Sequence, residues 1–404
     1  MRGGAAANGK LQKTRKKACD ILFSNSDKVW RNGSAVRRTV PSRENYTHQW
    51  LWDSATCAMG LIHVDPQRAY DEVYSVLSGQ WKNGFLPHII FDPKSTGYFP
   101  GPKVWKTEKY SPKGVLTSGI TQPPLVGFSL WYLYQNAPNK KGVIEFLKSV
   151  LPQVKKYHDF LKTYRDSEDS GLLTIVHPWE GGCDNSPLWD SPLTQIELDD
   201  VLDRLKKLVD SKRSDLKIGN HNHRPQSADY HRYIYLVDLF KKTAWNQEKM
   251  VKISPFAVKD VLFNSIWCMS NEALANCFRM LNQPKEAKKY EGLAKQTRKA
   301  LMGLWSKKEK LFLDVDVSHG RNKPILENTI GTFAPLLAKA VTLDQLPSLI
   351  TRLTDPTQYW TDSPAPTTAV NSPKFDKERY WRGPTWPITN FFLIYGLQNY
   401  IKYP

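Results

Sequence analysis

Apolar residues recur at steps of three and four through most of the chain. Between 142 and 166, Val143, Phe146, Leu147, Val150, Val154, Tyr157 and Leu161 form one stripe. That is the signature of a helix with a single buried face, and Pro152 inside it predicts a kink. Comparable stretches predict helices over roughly 54–63, 66–80, 122–136, 193–213, 228–244, 260–282, 284–304, 327–340, 343–353 and 385–401, with Asp260 as an N-cap and Pro66 in a first turn. Strand signals are short, LLTIV at 172–176 and LFLDVDV at 311–317, and lack the regular spacing of a sandwich or an α/β sheet. The chain reads as mainly α.

Between the helices lie three long loops rich in Gly, Pro, Trp and Tyr, at 81–121, 176–192 and 354–387. Long loops inside a compact domain are either functional or disordered, and their aromatic content argues against disorder. Chemistry is therefore expected in them. No linker or fixed-period repeat divides the chain, so one domain is expected over 38–404, preceded by a basic arm over 1–37.

A hydrophobic fraction of 40% with 14 Trp, 18 Tyr and 16 Phe in 404 residues supplies a large core. No window approaches 18 uninterrupted apolar residues, which excludes a membrane-spanning helix. The formal net charge is +18, and residues 1–40 hold ten basic residues against Asp20 and Asp27. The run LQKTRKK is expected to be solvated. It lacks the aromatic interleaving of a nucleic-acid platform, so nucleic acid is not the expected partner. The first nineteen residues contain no acid but are poor in Ser and carry no apolar stripe, and no secretory core follows them. A cytoplasmic location is expected, with organelle import through the basic N-terminus left open. Five cysteines without a CxxC pair fit a reducing compartment. The sequons Asn32-Gly33-Ser34 and Asn45-Tyr46-Thr47 then read as chance matches. No HExxH or Gly-rich phosphate loop occurs, and His221-Asn222-His223 lacks a ββα-metal context, so no metal or organic cofactor is expected.

The segment NYTHQWLWDSA (45–55) gathers Tyr46, Trp50, Trp52 and Asp53 just before a predicted helix. YWRGPTWP (380–387) repeats the pattern with Tyr380, Trp381, Arg382 and Trp386, and GYFPGPKVW (97–105) adds Tyr98 and Trp105. Aromatic faces beside fixed polar groups suit a sugar, whose C–H faces stack on rings while its hydroxyls need hydrogen-bond partners. HPWEGGCDNSPLWD (177–190) carries Glu180, Asp184 and Asp190, with Gly181 and Gly182 allowing a tight loop. Glycoside hydrolysis needs a carboxylic acid whose pKa is raised by an apolar setting, for which Trp179 and Trp189 are at hand. Asp184 is the candidate, although the run Asp-Asn-Ser-Pro would equally use it to cap a turn.

The strings TVPSRENYTHQWLWDSA, GFLPHIIFDP with GYFPGP, TSGITQPPL, HPWEGGCDNSPLWD, RPQSADYHRYIYLVDL, FAVKDVLFNS and YWRGPTWP follow one another over about residues 38–397. In this the chain resembles the mannosylglycerate and glucosylglycerate hydrolases of the glycoside hydrolase 63 group. The resemblance implies an (α/α)6 barrel of the six-hairpin glycosidase type. It also implies Asp184 as general acid, and sugar-binding roles for Tyr46, Trp50, Trp52, Asp53, Tyr98, Gln122, Tyr380, Trp381 and Trp386, to which Arg382 is added from its motif. The substrate it implies is a glucosyl or mannosyl unit α-linked to glycerate or another small acidic aglycone. Inversion is expected, with a second carboxylate roughly 6.5–9.5 Å from the first activating water. In similar enzymes that base is a Glu beyond the YWRGPTWP motif, followed by the last barrel helix. Here the segment from Gly383 to Pro404, GPTWPITNFFLIYGLQNYIKYP, contains no Asp or Glu. The base is thus expected beyond Pro404, and it and the last helix are expected to be absent from a truncated chain, at a loss of roughly 10² to 10⁴ in rate. The alternatives are a sugar-binding protein without catalysis, or recruitment of Glu44 or Glu180.

Overall fold

Helices alternate along the chain between members that are apolar nearly all round and amphipathic successors, and this alternation builds two layers. The computed structural model describes residues 2–31, 33–197, 203–213, 216 and 223–401. Helix α1 (Arg2–Ser24) leads into a hairpin of β1 (Ser26–Arg31) and β2 (Ser34–Thr39), then β3 (Gln49–Trp50), α2 (Leu51–Leu61) and α3 (Pro66–Leu77). The next loop holds β4 (Ile89–Ile90) and α4 (Pro102–Trp105), and a helical hairpin follows, α5 (Val126–Asn136) with α6 (Lys140–Arg165). Then come α7 (Asp190–Thr194), α8 (Asp203–Lys212), α9 (Ser227–Lys242), α10 (Gln247–Ile253) and β5 (Val258–Lys259). A third hairpin, α11 (Val261–Met280) with α12 (Pro284–Met302), precedes β6 (Trp305–Ser306), β7 (Leu311–Phe312), β8 (Val315–Asp316) and β9 (Lys323–Pro324). The helices α13 (Leu346–Leu353) and α14 (Pro387–Leu397) follow.

α2, α5 and α11 pack on one another as an inner wall, and each is backed by its successor, α3, α6 or α12. The inner helices are buried on several faces, while the outer ones bury one stripe. This is the layering of an (α/α)6 barrel. Gly127 lets the inner helices approach, since a Cβ there would stand 2.7 Å from the His158 ring and 3.1 Å from Ser270. Ser270 Oγ in turn donates to Pro124 O at 2.7 Å and accepts the Phe128 N–H at 3.1 Å. One of the orphan donors at the start of α5 is thereby satisfied from α11.

Most predicted helices are present. Asp260 accepts the Phe263 N–H as an N-cap, and Pro66 opens α3. The stripe expected over 142–166 is α6, with Pro152 inside it. Several expectations need correction. The helix expected at 193–213 is two, α7 and α8, with 198–202 outside the described residues. The one expected at 327–340 is a 3-10 run over Ile330–Leu336, because Gly331 is a poor helix former and Pro335 has no N–H to donate. LLTIV forms only the bridge Ile175–Val258, and LFLDVDV is split between β7 and β8.

The arm expected over 1–37 divides in two. Lys10, Lys13, Arg15, Lys16 and Lys17 on α1 are exposed, but the hairpin is packed against α3. β1 and β2 pair antiparallel from Ser26↔Thr39 to Arg31↔Ser34, with Gly33 at φ +79° in the turn. Arg38 is fully buried and pairs with Asp27 at 2.8 Å and Asp92 at 2.6 Å. Arg31 Nη1 donates to Gln49 Oε1 at 2.6 Å and Ser75 O at 3.0 Å.

Candidate active site

The first aromatic segment is shaped by the start of α2. β3 pairs antiparallel with β4, Trp50 opposite Ile89, and the chain turns directly into the helix. Trp50 is thereby half-buried, Trp52 is buried, and Asp53 lies in the first turn. The Trp52 N–H is 3.4 Å from Gln122 Oε1, which ties the loop before α5 to this wall. Tyr46 and Tyr98 flank Trp50 edge-on, at centroid distances of 5.8 and 6.2 Å.

The second aromatic segment stands opposite. Trp381 and Trp386 stack at 5.1 Å and 16°, Tyr380 meets Trp386 edge-on at 5.1 Å, and Trp386 Nε1 donates to Tyr380 O at 2.9 Å. Trp52 and Trp381 join the two walls at 6.1 Å.

Between them runs the loop of the candidate acid. A 3-10 turn over Pro178–Gly181 ends at Gly182, which has φ +75° and lies so close beneath Trp52 that a Cβ would be 2.7 Å from the ring. A side chain there would be strained and would displace the tryptophan. Asp184 follows, its backbone oxygen accepting the Tyr233 hydroxyl at 2.7 Å. The neighbouring Asn185 Oδ1 accepts the Trp381 N–H at 2.8 Å. Trp179 and Trp189, expected to surround the acid, are buried beneath the loop and do not line the cavity, and Trp189 Nε1 donates to Cys183 O at 2.6 Å. Trp105 is likewise fully buried.

Tyr46, Trp50, Trp52, Asp53, Tyr98, Gln122, Asp184, Tyr380, Trp381 and Trp386 all line one cavity of about 250 Å³. That volume, just below the roughly 300–1,000 Å³ of ordinary ligand pockets, suits a sugar with a small aglycone. Arg382 is not part of the lining. Its guanidinium turns away and grips Asp190, Nη1 at 3.1 Å and Nη2 closer. Glu44 is exposed and Glu180 is fully buried against Arg165 at 2.6 Å; neither lines the cavity, so neither is placed to act as the base. The general base expected beyond Pro404 falls outside the described residues, and so does Pro404 itself, the last of them being Ile401.

Sequence reasoning missed part of the wall. Thr56 and Cys57 line the cavity three and four residues beyond Asp53, a helical spacing that is legible in the chain, and Thr39, Val40 and Pro41 enter from the end of the hairpin. It also missed Arg224, whose guanidinium stands 5.2 Å from the Tyr46 centroid and 5.1 Å from that of Tyr380. Two rings hold a cation over residues of the lining.

Burial pushes the Asp53 carboxyl up to about 6, with the nearby Glu72 charge adding to it. Burial also pushes the Tyr380 phenol well up, and the charge of Asp184, then those of Tyr46 and Asp53, act in the same direction. The phenol thus stays protonated and able to donate. Among the described residues no group of three or more His, Cys, Asp and Glu is arranged to hold a metal. His221 and Asn222 of the HNH string lie outside the described residues.

The model of the mannosylglycerate hydrolase MGH1-like glycoside hydrolase domain matches residues 46–403. The chain belongs to this family. The MGH1-like chain is 35% identical over 392 residues to a mannosylglycerate hydrolase of Thermus thermophilus, covering 95% of its own length and 88% of the relative's. A mannosylglycerate hydrolase of Rubrobacter radiotolerans is 34% identical, with 90% and 81% covered. A glucosylglycerate hydrolase of Mycolicibacterium hassiacum is 32% identical, with 85% and 78% covered. The crystal structure of a GH63 mannosylglycerate hydrolase from Thermus thermophilus with Tris superposes at a TM-score of 0.84 and 34% identity over 96% of this chain and 87% of that one. The same enzyme has been crystallised with Tris and D-glycerate, and with glucose. The two-layered helical barrel of this MGH1-like glycoside hydrolase is thus the (α/α)6 fold of its family.

Proposed function

We propose that this glycoside hydrolase releases glucose or mannose from an α-glycoside of glycerate or of a similarly small acid, with inversion, and that Asp184 protonates the leaving oxygen. The observation that carries the proposal is a small cavity in which Asp184 lies between two aromatic walls. Trp50, Trp52, Trp381 and Trp386 offer ring faces to the sugar, and Gln122, Asp53 and the Tyr hydroxyls offer hydrogen bonds. Arg224, held over Tyr46 and Tyr380, supports an acidic aglycone, because a guanidinium near the lining pairs with a carboxylate. The relatives named as hydrolases of mannosylglycerate and glucosylglycerate support the same substrate class.

Inversion needs a second carboxylate opposite the leaving group. Among the described lining residues the carboxylates are Asp53 and Asp184, and Asp53 is assigned to the sugar. The test is incubation of the protein with glucosylglycerate and mannosylglycerate, following hexose and its first-formed anomer by NMR. Release of the β-anomer supports the reading. Release of the α-anomer overturns inversion. Calorimetric binding of either compound without hexose release would replace it by a carbohydrate-binding protein.

A further inference from the structure

The loop that carries Asp184 is fastened at both ends, by ion pairs of opposite character. Upstream, Glu180 is buried, paired with Arg165 at 2.6 and 3.1 Å, and also accepts the N–H groups of Thr121 at 3.2 Å and Val176 at 2.8 Å. That end is fixed to the barrel. Downstream, Asp190 accepts both Nη atoms of Arg382 and lies 3.3 Å from Lys374 Nζ, which reaches on to Glu327 at 2.5 Å. This end is fixed to the 380s loop. Between the two, Asn185 accepts the backbone N–H of Trp381 at 2.8 Å.

We propose that the Asp190–Arg382 fork and the Asn185–Trp381 hydrogen bond form a clamp that sets how far the Asp184 carboxyl stands from the aromatic wall of Tyr380, Trp381 and Trp386. Arg382, Asp190 and Asn185 are then positioning residues for the hydrolysis proposed above, on which this inference rests. A bidentate guanidinium–carboxylate pair fixes distance and plane together, which an ammonium cannot do. The side chains of Arg382 and Asp190 are 11% and 28% exposed. For a pair this enclosed the attraction is largely offset by the cost of desolvating both charges, so it is weak evidence of a stabilising role. Its worth is geometric: one wall of the sugar's cavity belongs to one loop, the proton comes from the other, and the clamp is a direct junction between them. It also explains why a cation sits inside a sugar-binding motif without facing the sugar.

The experiment combines steady-state kinetics on glucosylglycerate or mannosylglycerate with hydrogen exchange of peptides covering 183–190, in Arg382→Lys, Asn185→Ala and the exchange variant Asp190→Arg/Arg382→Asp. The clamp predicts kcat lower by about 10- to 100-fold with KM changed by less than about threefold in Arg382→Lys and Asn185→Ala. It predicts faster exchange in 183–190 with α11 unchanged, and recovery of both readouts in the exchanged pair relative to Asp190→Arg alone. Arg382→Lys keeps the charge and is expected to fold; its partial loss separates fork geometry from charge. A kcat within about twofold of the parent, or exchange in 183–190 equal to the parent, overturns the clamp. If the parent releases no hexose, the functional reading fails, and the exchange measurement alone decides the clamp in the same two directions.

Discussion

The segments 46–53 and 380–386 have nearly the same composition, yet they present opposite faces. Each contributes one tyrosine, one buried tryptophan, one half-buried tryptophan and one charge: Tyr46, Trp52, Trp50 and Asp53 on one side, Tyr380, Trp381, Trp386 and Arg382 on the other. The buried tryptophans meet each other. The charges part company. Asp53 faces the cavity because it stands in the first turn of an inner helix whose next lining residues are Thr56 and Cys57. Arg382 faces away from it because Asp190 is waiting there. Composition marks both segments as aromatic walls, but the direction of a charged side chain is decided by a tertiary partner far away in sequence.

The sharpest break in this symmetry comes from what lies between the walls. Asp184→Asn is expected to lower hexose release by roughly 10² to 10⁴ while leaving the dissociation constant unchanged by calorimetry; retained turnover removes the acid assignment. Next, the buried and half-buried tryptophans of one wall should separate cleanly. Trp52→Ala is expected to cost about 3–5 kcal/mol in urea unfolding. Trp50→Ala should be milder in stability and felt mainly in sugar affinity. Equal losses of stability would mean that the two rings belong equally to the core.

Acid should act on the protein more than on the walls. Burial holds His48 and His158 down to about 4 and His177 to about 3, with Arg38 adding to the effect at His48. All three lie below the unfolded value of about 6.5, so their contribution is present above that pH and is lost as the pH falls towards 4. Each pH unit is worth about 1.4 kcal/mol per group, so urea midpoints should drop steeply between about pH 6.5 and pH 4. Asp53 runs the other way: raised to about 6, it favours the fold below about 4 and loses that contribution as the pH rises through 6. The smallest effect is on binding. In the Asp184→Asn background, sugar affinity should weaken by a few-fold as Asp53 protonates below about 6, and a further Asp53→Asn change should flatten that dependence; a slope that survives it would belong to another group.

How much of this is legible in the chain varies with the range of the interactions. Helical stripes and caps such as Asp260 are local, and they are readable. The 3-10 run at Ile330–Leu336 escapes a reading by periodicity because its apolar positions outweigh Gly331 and Pro335. The hairpin escapes it because Asn32-Gly33 also reads as part of a sequon, although Asn-Gly between alternating residues is a strong turn signal. The aromatic residues of the cavity are found by composition and resemblance. Arg224 is not, since nothing near it in sequence announces the two rings it stacks on.

The hairpin bears on where this domain physically begins. The family match starts at Tyr46, but a fragment cut there would lose Thr39, Val40 and Pro41 from the cavity wall and would leave Asp92 without Arg38 and Gln49 without Arg31. A protease probing the native fold should find a resistant core that starts nearer Ser26 than Tyr46. The family model and the packed hairpin thus have different left-hand edges, and the stretch between them holds part of the pocket.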